Sequence, residues 1–198
     1  REFLGRNLGK NFLKLANQAV ERPDTMNRVD NYYTETNTGF SGIPFQRPFL
    51  SDVVSYIGGQ WMILTRACCS FLCTSAETEK FEQYYKNTLI PDESFFQTVL
   101  MNTSFDGEIV NDDKRAIIWI PDGDIKLRPK TFTHMDAAFL LNSTHLFARK
   151  FDDNTDNTVL NIIERRLGLP SKLSRNIKTI SPVAPPKEGV AKTQLSND

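Results

Sequence analysis

The sequence predicts a fold that mixes helices with short strands, because two kinds of apolar pattern alternate along its 198 residues. Residues 91–100 and 159–167 carry apolar side chains at helical spacing, which predicts a buried stripe on each helix. Short apolar runs at 108–110 and 116–120 are typical of strands. The length is sufficient for one domain with a hydrophobic core.

The N-terminal part of the chain is predicted to contain a helix, a loop, a strand and two further helices. Apolar residues recur at helical spacing over residues 1–20, and the polar, Asn-, Thr- and Pro-rich stretch 22–50 predicts a long surface loop. Trp61–Thr65 fits a buried strand, or alternatively a plain turn that leads into one. Residues 67–73 are predicted to be helical, and Thr74–Glu77 has the pattern of a capping box that starts another helix.

The helix at residues 91–100 begins at Pro91, whose missing N–H is not needed in a first turn. Glu93 lies in that turn, where the helix dipole favours a carboxylate. On the pattern alone, Glu93 need do no more than complement this dipole. The helix at 159–167 is predicted to end at Gly168, with Pro170 as a stop.

The composition excludes several classes of protein. The 24 basic and 24 acidic residues balance, so no charge footprint for nucleic acid or an anionic membrane exists. No apolar run reaches the length of about 18 residues that spans a bilayer. The chain does not begin with Met, so we expect its beginning to be missing. Residues 170–198 are polar and proline-bearing, and we expect a disordered tail there.

Three other features bear on compartment and metal binding. The three cysteines lie within Cys68–Cys73, without the paired spacing of a zinc site, and are predicted to be small buried thiols. The triplets that start at Asn102 and Asn142 are glycosylation sequons, which weakly favour a secretory lumen. Pro121–Asp124 reads Pro-Asp-Gly-Asp, which we interpret as a turn and not as an Asp-x-Asp metal motif.

Several segments together resemble the core-2/I-branching glycosyltransferase family, and most of all its peptide O-xylosyltransferase branch. The matching segments are Asn11–Lys14 (NFLK), Gly58–Arg66 (GGQWMILTR), Pro91–Leu100 (PDESFFQTVL), Val110–Trp119 (VNDDKRAIIW) and Phe147–Phe151 (FARKF). Gln60 departs slightly from the small residues usual in the family. The chain also lacks the cysteine-rich sequence that xylosyltransferases carry before the FARKF segment, which leaves the donor sugar open.

The resemblance implies a GT-A-type α/β fold, with a mixed sheet flanked by helices. It further implies that residues 1–169 are the C-terminal, acceptor-side part of the catalytic domain. The Rossmann-like, nucleotide-binding half of such a domain is then expected before residue 1, and a membrane anchor further upstream.

The resemblance also assigns roles to charged residues. Glu93 falls on the family's inverting general base, and Lys150 falls on the lysine that contacts the donor diphosphate. Arg149 would point to the opposite face if this segment were a strand, so Lys150 is preferred. Arg128 is the candidate for a second diphosphate-binding cation. Taken without the resemblance, Lys150 would be a solvated strand lysine.

Further residues are candidates on the same grounds. Gly59 and Trp61 lie in a segment that passes the acceptor site in the family, and Trp119 falls on an acceptor-facing tryptophan, although a strand tryptophan is also an ordinary core residue. Asp136 matches an aspartate that precedes the FARKF segment. Arg115 is another basic candidate, or alternatively a salt-bridge partner of Asp112.

These roles imply an inverting glycosyltransferase that moves xylose or N-acetylglucosamine from a UDP-sugar to a protein or glycan hydroxyl. No metal or other cofactor is expected, because fixed cations can neutralise a leaving diphosphate. The partners are then a UDP-sugar and an acceptor, in the Golgi lumen of a eukaryote or the cytoplasm of a bacterium. An inactive carbohydrate-binding fragment and a structural protein that reuses the fold are the alternatives.

Overall fold

The computed structural model describes residues 5–124 and 126–169, apart from the side chains of Phe40 and Pro44. The chain divides into two compact units. Of the described residues, unit 1 comprises those through Ile117 together with Thr144–Ala148, and unit 2 comprises Ile118–Ser143 and those from Arg149 onward. The predicted tail at 170–198 and the stop at Pro170 lie outside the described residues.

Short strands and helices alternate along the described residues. The strands are β1 (Asn11–Leu13), β2 (Ala16–Asn17), β3 (Asn31–Thr36), β4 (Gly39–Gln46), β5 (Tyr56–Ile57), β6 (Ile109–Asn111), β7 (Arg115–Ala116), β8 (Trp119–Asp122), β9 (Lys126–Pro129) and β10 (Phe147–Ala148). The α-helices are α1 (Gln18–Glu21), α2 (Asn27–Asp30), α3 (Arg66–Thr74), α4 (Glu79–Tyr85), α5 (Phe95–Met101), α6 (Ala137–Asn142) and α7 (Thr158–Arg166). Single 3-10 turns occupy Pro23–Thr25, Ala76–Thr78, Pro91–Glu93 and His134–Asp136.

The strands of the described residues pair only two by two. β1 runs parallel to β6, and β7 runs parallel to β10. The pairs β2–β5, β3–β4 and β8–β9 are antiparallel. The predicted mixture of helices and strands is therefore confirmed, but small two-stranded ladders stand where one mixed sheet was expected.

The core of unit 1 forms where helices α3, α4 and α5 pack with β1. Its buried members are Leu13, Val29, Cys68, Leu72, Phe81, Tyr85, Val99 and Leu100. The apolar stripe predicted for residues 91–100 is confirmed, since Val99 and Leu100 lie in this core and Phe95 packs against it. Pro91 starts a 3-10 turn that leads into α5, as a proline at a helix start permits.

The helix predicted at residues 1–20 is wrong for residues 11–17, which contain the strands β1 and β2. Phe12 pairs with Val110 of β6 and also bridges to Ile63. The Asn11 side chain accepts a hydrogen bond from Thr65 N at 2.9 Å. These distant partners satisfy the backbone in a strand and override the local helical spacing.

The prediction of a long loop at 22–50 is also wrong. These residues contain α2 and the β3–β4 hairpin, whose ladder runs from Asn31 opposite Gln46 to Thr36 opposite Gly39. Gly39 has a φ of +125°, a backbone conformation that glycine adopts without steric cost. The polar composition therefore marked a solvent-facing hairpin, because most of the described side chains in it are exposed.

Three smaller predictions around α3 need correction. Ile63 makes a single bridge to Phe12, so Trp61–Thr65 is not a buried strand. Thr74 belongs to α3, and Ser75 instead caps the following turn by accepting from Glu77 N at 3.3 Å. Of the cysteines, only Cys68 is buried, where desolvation raises its pKa to about 11, whereas the other two thiols are exposed.

Unit 2 contains the β8–β9 hairpin, α6 and α7. Phe132 is fully buried, and its ring centroid lies 5.6 Å from that of Phe151. The predicted closing helix is confirmed as α7, and its Val159 is fully buried. Gly168 has a φ of +67°, as predicted for a residue that ends a helix. β8 extends through Asp122, so the predicted turn is confined to the residues after it.

No helix in the described part of the chain combines the length and the apolar character that crossing a membrane requires.

Candidate active site

Glu93 ends the 3-10 turn Pro91–Glu93, immediately before Ser94 and α5. Its Oε2 atom accepts a hydrogen bond from Nη1 of Arg28 at 2.7 Å. The two side chains are about equally exposed, at 28% for Arg28 and 30% for Glu93. Because the pair is partly shielded and charge-assisted, it fixes the carboxylate while one face stays open to solvent.

The backbone of Glu93 is fixed by the Gly58–Gly59 segment. Gly58 N donates to Glu93 O at 2.7 Å. A side chain at Gly58 is excluded, since a Cβ atom there would lie 1.9 Å from the carbonyl oxygen of Lys14. The close approach that the two glycines predicted is thus confirmed for Gly58, whereas a Cβ on Gly59 would meet nothing nearer than 3.9 Å.

A buried network of hydroxyl and amide groups anchors the residue that follows Glu93. Ser94 Oγ is 2.8 Å from the Tyr85 hydroxyl and 3.1 Å from Oε1 of Gln18. Ser55 Oγ donates to the same Gln18 atom at 2.6 Å. Burial raises the pKa of Tyr85, although hydrogen bonds from its neighbours oppose the shift. These hydrogen bonds fix the position of Ser94, the residue directly after Glu93.

Gln97, one turn beyond Glu93 on α5, ties the helix to Gly59. It is fully buried, and its Nε2 donates to Gly59 O at 3.1 Å. Two hydrogen bonds therefore fix this glycine pair to the segment 93–97: Gly58 donates to the Glu93 carbonyl, and Gly59 accepts from the Gln97 amide.

Arg115 lies against two aromatic rings of unit 1. Its guanidinium carbon is 4.2 Å from the centroid of Trp61 and 5.1 Å from that of Phe147. Both rings are close to half-exposed, at 45% and 47%. Cation–π contact of this kind favours a fixed arrangement of the guanidinium and the rings. The buried Arg115 Nε has no hydrogen-bond partner among the described residues. We name Trp61, Arg115 and Phe147 the aromatic–arginine stack.

The alternative role of Arg115, a salt bridge to Asp112, is wrong. Lys114 occupies that position, with Nζ 2.7 Å from Asp112 Oδ2. Partial burial acts to raise the pKa of Asp112, but hydrogen bonds from Lys114 outweigh it and the pKa is lowered.

In unit 2, Lys150 is joined to the loop around Phe132 through its backbone. Phe132 N donates to Lys150 O at 2.8 Å, and Lys150 N donates to Lys130 O at 3.3 Å. The Lys150 side chain is exposed. β10 ends at Ala148, so the strand geometry that separated Lys150 from Arg149 is absent, and that argument for Lys150 is wrong.

Asp136 is buried, and its carboxylate accepts hydrogen bonds from residues close to it in sequence. It accepts from Lys130 Nζ and, at 3.0 Å, from Thr133 N, which completes a capping box at the turn His134–Asp136. The hydrogen bond from Lys130 is the main cause of the lowered pKa of Asp136. Asp136 therefore holds Lys130 and the backbone before α6.

Arg128 and Trp119 lie on the two strands of the β8–β9 hairpin. Arg128 pairs opposite Ile120, and its Nε is 3.4 Å from Asp122 Oδ1 in an exposed contact. Trp119 is 54% exposed, so its interpretation as a core tryptophan is wrong. An exposed aromatic face is free to stack on a ligand.

The predicted site residues fall into both units. Unit 1 holds Glu93, Gly59, Trp61 and Arg115; unit 2 holds Lys150, Arg128, Trp119 and Asp136. Hydrogen bonds bring Glu93 together with the Gly58–Gly59 segment, and ring contacts bring Arg115 together with Trp61.

Arg28 was missed by the sequence analysis. It lies in the stretch 22–50, for which the sequence predicts a loop, and is 65 residues from its partner in sequence. No periodicity or local motif marks such a pair.

Groups of three or more His, Cys, Asp or Glu side chains suited to a metal ion do not occur in residues 5–124 and 126–169. The expectation of a metal-free reaction stays a prediction.

Comparison with known proteins identifies a family. The sequence profile of the Core-2/I-Branching enzyme family matches residues 20–142, more than half of the chain. Xylosyltransferase 2 of Mus musculus is 27% identical over 180 residues, which are 83% of this chain and 21% of the relative. A xylosyltransferase of Ciona intestinalis is 23% identical over 180 residues, or 84% of this chain and 21% of that protein.

Xylosyltransferase 1 of Rattus norvegicus is 29% identical over 120 residues, or 59% of this chain and 14% of the relative. The chain spans about a fifth of the length of the first two relatives. The predicted family is confirmed, and its name and relatives indicate the predicted class of enzyme, a glycosyltransferase. The chain belongs to the Core-2/I-branching enzyme family.

Proposed function

We propose that this chain carries the general base and acceptor-side residues of an inverting glycosyltransferase with a GT-A-type fold. The reaction transfers xylose or N-acetylglucosamine from a UDP-sugar to a protein or glycan hydroxyl. One observation carries the proposal: Glu93, in the segment that resembles the family's base segment, is a partly shielded carboxylate oriented by Arg28 at 2.7 Å.

Glu93 has one oxygen bound and one available. Arg28 engages Oε2, and the described residues provide no hydrogen bond to Oε1. In the proposed step, Oε1 accepts the proton of the acceptor hydroxyl while that oxygen attacks the anomeric carbon. A new C–O bond forms on one face of the sugar, the bond to the diphosphate breaks on the other, and UDP departs with the electron pair.

Lys150 is the proposed cation for the departing diphosphate. Lys150 is exposed, and within the described residues it forms no ion pair with a carboxylate. An ammonium in this state can form charge-assisted hydrogen bonds with phosphate oxygens. Lys130 is less suitable because Asp136 already binds it. Arg128 is the proposed second cation, and a diphosphate would compete with its exposed contact to Asp122. With these cations we propose that no metal is required.

The proposed acceptor surface uses exposed aromatic rings. In unit 1, the aromatic–arginine stack presents Trp61, and the Gly58–Gly59 segment adjoins Glu93 through the hydrogen bond from Gly58. In unit 2, Trp119 is the exposed candidate. Aromatic faces pack on the apolar faces of sugars and on peptide backbone. At Gly59 an added Cβ would meet no atom nearer than 3.9 Å, so this glycine does not crowd an acceptor.

Xylose is the preferred donor sugar because the curated relatives named above are called xylosyltransferases. Those relatives are animal proteins, and we propose that this chain works in the Golgi lumen. N-acetylglucosamine is the alternative sugar, since the resemblance extends to branching enzymes.

The proposal is tested by UDP release from the full-length gene product. UDP-xylose, UDP-N-acetylglucosamine and UDP-glucuronate are each supplied with a mixed pool of acceptors, with and without EDTA. Turnover of one donor that survives EDTA identifies the sugar and supports leaving-group stabilisation by Lys150. Turnover that is lost in EDTA contradicts the metal-free step but still supports a glycosyltransferase. Glycan binding with no turnover of any donor favours the carbohydrate-binding alternative.

A further inference from the structure

We propose that Asn142 carries an N-linked glycan and that the second sequon of the chain, at Asn102, does not. The donor would be an oligosaccharide linked to a polyprenyl diphosphate. This inference rests on the lumenal compartment proposed above, and it is independent of whether Glu93 or Lys150 takes part in catalysis.

Asn142 is at the end of a helix and faces solvent. It is the last residue of α6, and its side chain is exposed. The described residues give its amide no hydrogen-bond partner. Ser143 leaves the helix in an extended conformation, with φ −69° and ψ 142°, and Thr144 is exposed as well. A glycan on Asn142 would therefore extend into solvent without displacing any contact of the amide.

Asn102 is bound on both sides of its amide. Its Nδ2 donates to Val54 O at 2.8 Å and to Thr98 O at 2.7 Å. Its Oδ1 accepts from Val54 N at 2.9 Å. Attachment of a sugar replaces one hydrogen of Nδ2, so one of these carbonyl groups would lose its donor. The loss occurs where α5 ends, directly after the buried residues Val99 and Leu100.

The other two residues of the Asn102 sequon are also engaged. Thr103 Oγ1 donates to Val99 O at 2.8 Å. Ser104 donates to Glu77 from its hydroxyl and, at 2.9 Å, from its backbone nitrogen. These hydrogen bonds lower the pKa of Glu77, so the Glu77 carboxylate that accepts them stays ionised. The hydroxyl that the sequon requires is thus occupied once the chain folds, and a glycan attached earlier would oppose this packing.

The modification balances as a simple group transfer. The Asn142 Nδ2 atom attacks C1 of the first sugar, and an N–C bond forms. The bond between C1 and the diphosphate oxygen breaks, and the polyprenyl diphosphate leaves with the electron pair. One amide proton is released, and no oxidant or reductant is needed.

The test is peptide mass spectrometry of the full-length protein expressed in animal cells, before and after treatment with peptide N-glycosidase, which leaves aspartate at a formerly glycosylated asparagine. We expect conversion at Asn142 and none at Asn102. Asn142→Gln and Thr144→Ala should each abolish the Asn142 glycan, whereas Ser143→Ala, at the permissive middle position, should retain it.

Either of two results would overturn the inference: an unmodified Asn142, or a glycan on Asn102. The Asn102→Gln variant adds a second readout. Its substituted side chain cannot carry a glycan, so its Asn142 glycan should be unchanged while its thermal stability falls. None of these measurements requires transferase activity, so they remain informative if the proposed function fails.

Discussion

Arg28 and Glu93 form a charge-assisted hydrogen bond of 2.7 Å between two segments that are 65 residues apart in the chain. Leu89 N also donates to Arg28 O at 2.9 Å, so α2 is fastened to the chain just before the Glu93 turn. The pair gives the carboxylate one defined orientation, with Oε2 bound. This relationship is the physical basis for treating Glu93 as more than a carboxylate that complements a helix dipole.

Substitution of Arg28 is expected to reduce turnover more than substrate binding. Arg28→Ala should lower kcat about 10- to 100-fold, since hydrogen bonds to charged groups contribute about 1.5–3 kcal/mol. KM for the UDP-sugar should change little, and Arg28→Lys should recover part of kcat because it restores the charge.

Arg22→Ala is the matched control, because the Arg22 side chain is exposed and, among the described residues, its one ion pair is a 3.6 Å contact with Asp24. Steady-state kinetics of the three variants checks the prediction. An unchanged kcat in Arg28→Ala would show that Glu93 needs no positioning partner.

Removal of Lys150 is expected to weaken binding of the nucleoside diphosphate. Lys150→Ala should raise the Kd for UDP about 10- to 100-fold, because a charge-assisted contact to phosphate is lost. Isothermal titration of the full-length protein measures it. Arg149→Ala is the neighbouring control and should have the smaller effect; if the order is reversed, Arg149 takes the role given to Lys150.

Gly58 should be intolerant of any side chain, whereas its neighbour should accept one. Gly58→Ala places a Cβ 1.9 Å from Lys14 O and 3.0 Å from Gln97 Nε2, so we expect a loss of unfolding free energy of about 1–3 kcal/mol or more. Gly59→Ala meets its nearest atom at 3.9 Å and should change stability by less than about 0.5 kcal/mol. Equal unfolding midpoints in urea would contradict this account of the Gly58 contact.

The Lys130–Asp136 contact is expected to make stability depend on pH. Hydrogen bonding by Lys130 lowers the pKa of Asp136 in the folded protein below the ordinary value of 3.8. Its stabilising contribution is then complete above pH 3.8 and is lost as the pH falls through the lowered pKa.

Asp136→Asn should therefore lower Tm at pH 7, and the difference from the unsubstituted protein should shrink as the pH falls below 3.8. Thermal unfolding from about pH 7 to about pH 2.5 measures this difference, with Asp153→Asn at an exposed site as control. A difference in Tm that stays constant over that range would exclude titration of Asp136 as the cause.

The helices could be predicted because their signals are local. Pro91 and the apolar spacing after it lie within about three turns, and the residues of α7 carry their own stripe before Gly168. β1 could not be predicted, because its partner β6 is nearly 100 residues away, as in the 2.8 Å bond from Asn11 N to Glu108 O. Such pairing depends on tertiary contacts and leaves no local pattern.

In the candidate site, too, residues marked by a local sequence pattern could be predicted, whereas residues that act through tertiary contacts could not. Glu93 and Lys150 could be named because short segments around them match the family, and the positions of exposed Trp61 and Trp119 agree with a role on the surface. Three contacts form only when distant or non-periodic side chains meet in the fold. They are the Arg28–Glu93 pair, the stacking of Arg115 on Trp61, and the hydrogen bond from Lys130 to Asp136. Their roles follow from geometry and could not be predicted from residue type.

The central claim, that Glu93 is the general base, is tested most directly by the turnover of Glu93→Gln in the full-length protein. Glutamine keeps the shape and can accept from Arg28, but it cannot take the acceptor proton. We expect transfer to fall by at least about 100-fold, with unchanged affinity for UDP, while Asp92→Asn in the same turn keeps normal turnover. Near-normal transfer by Glu93→Gln would contradict the assignment.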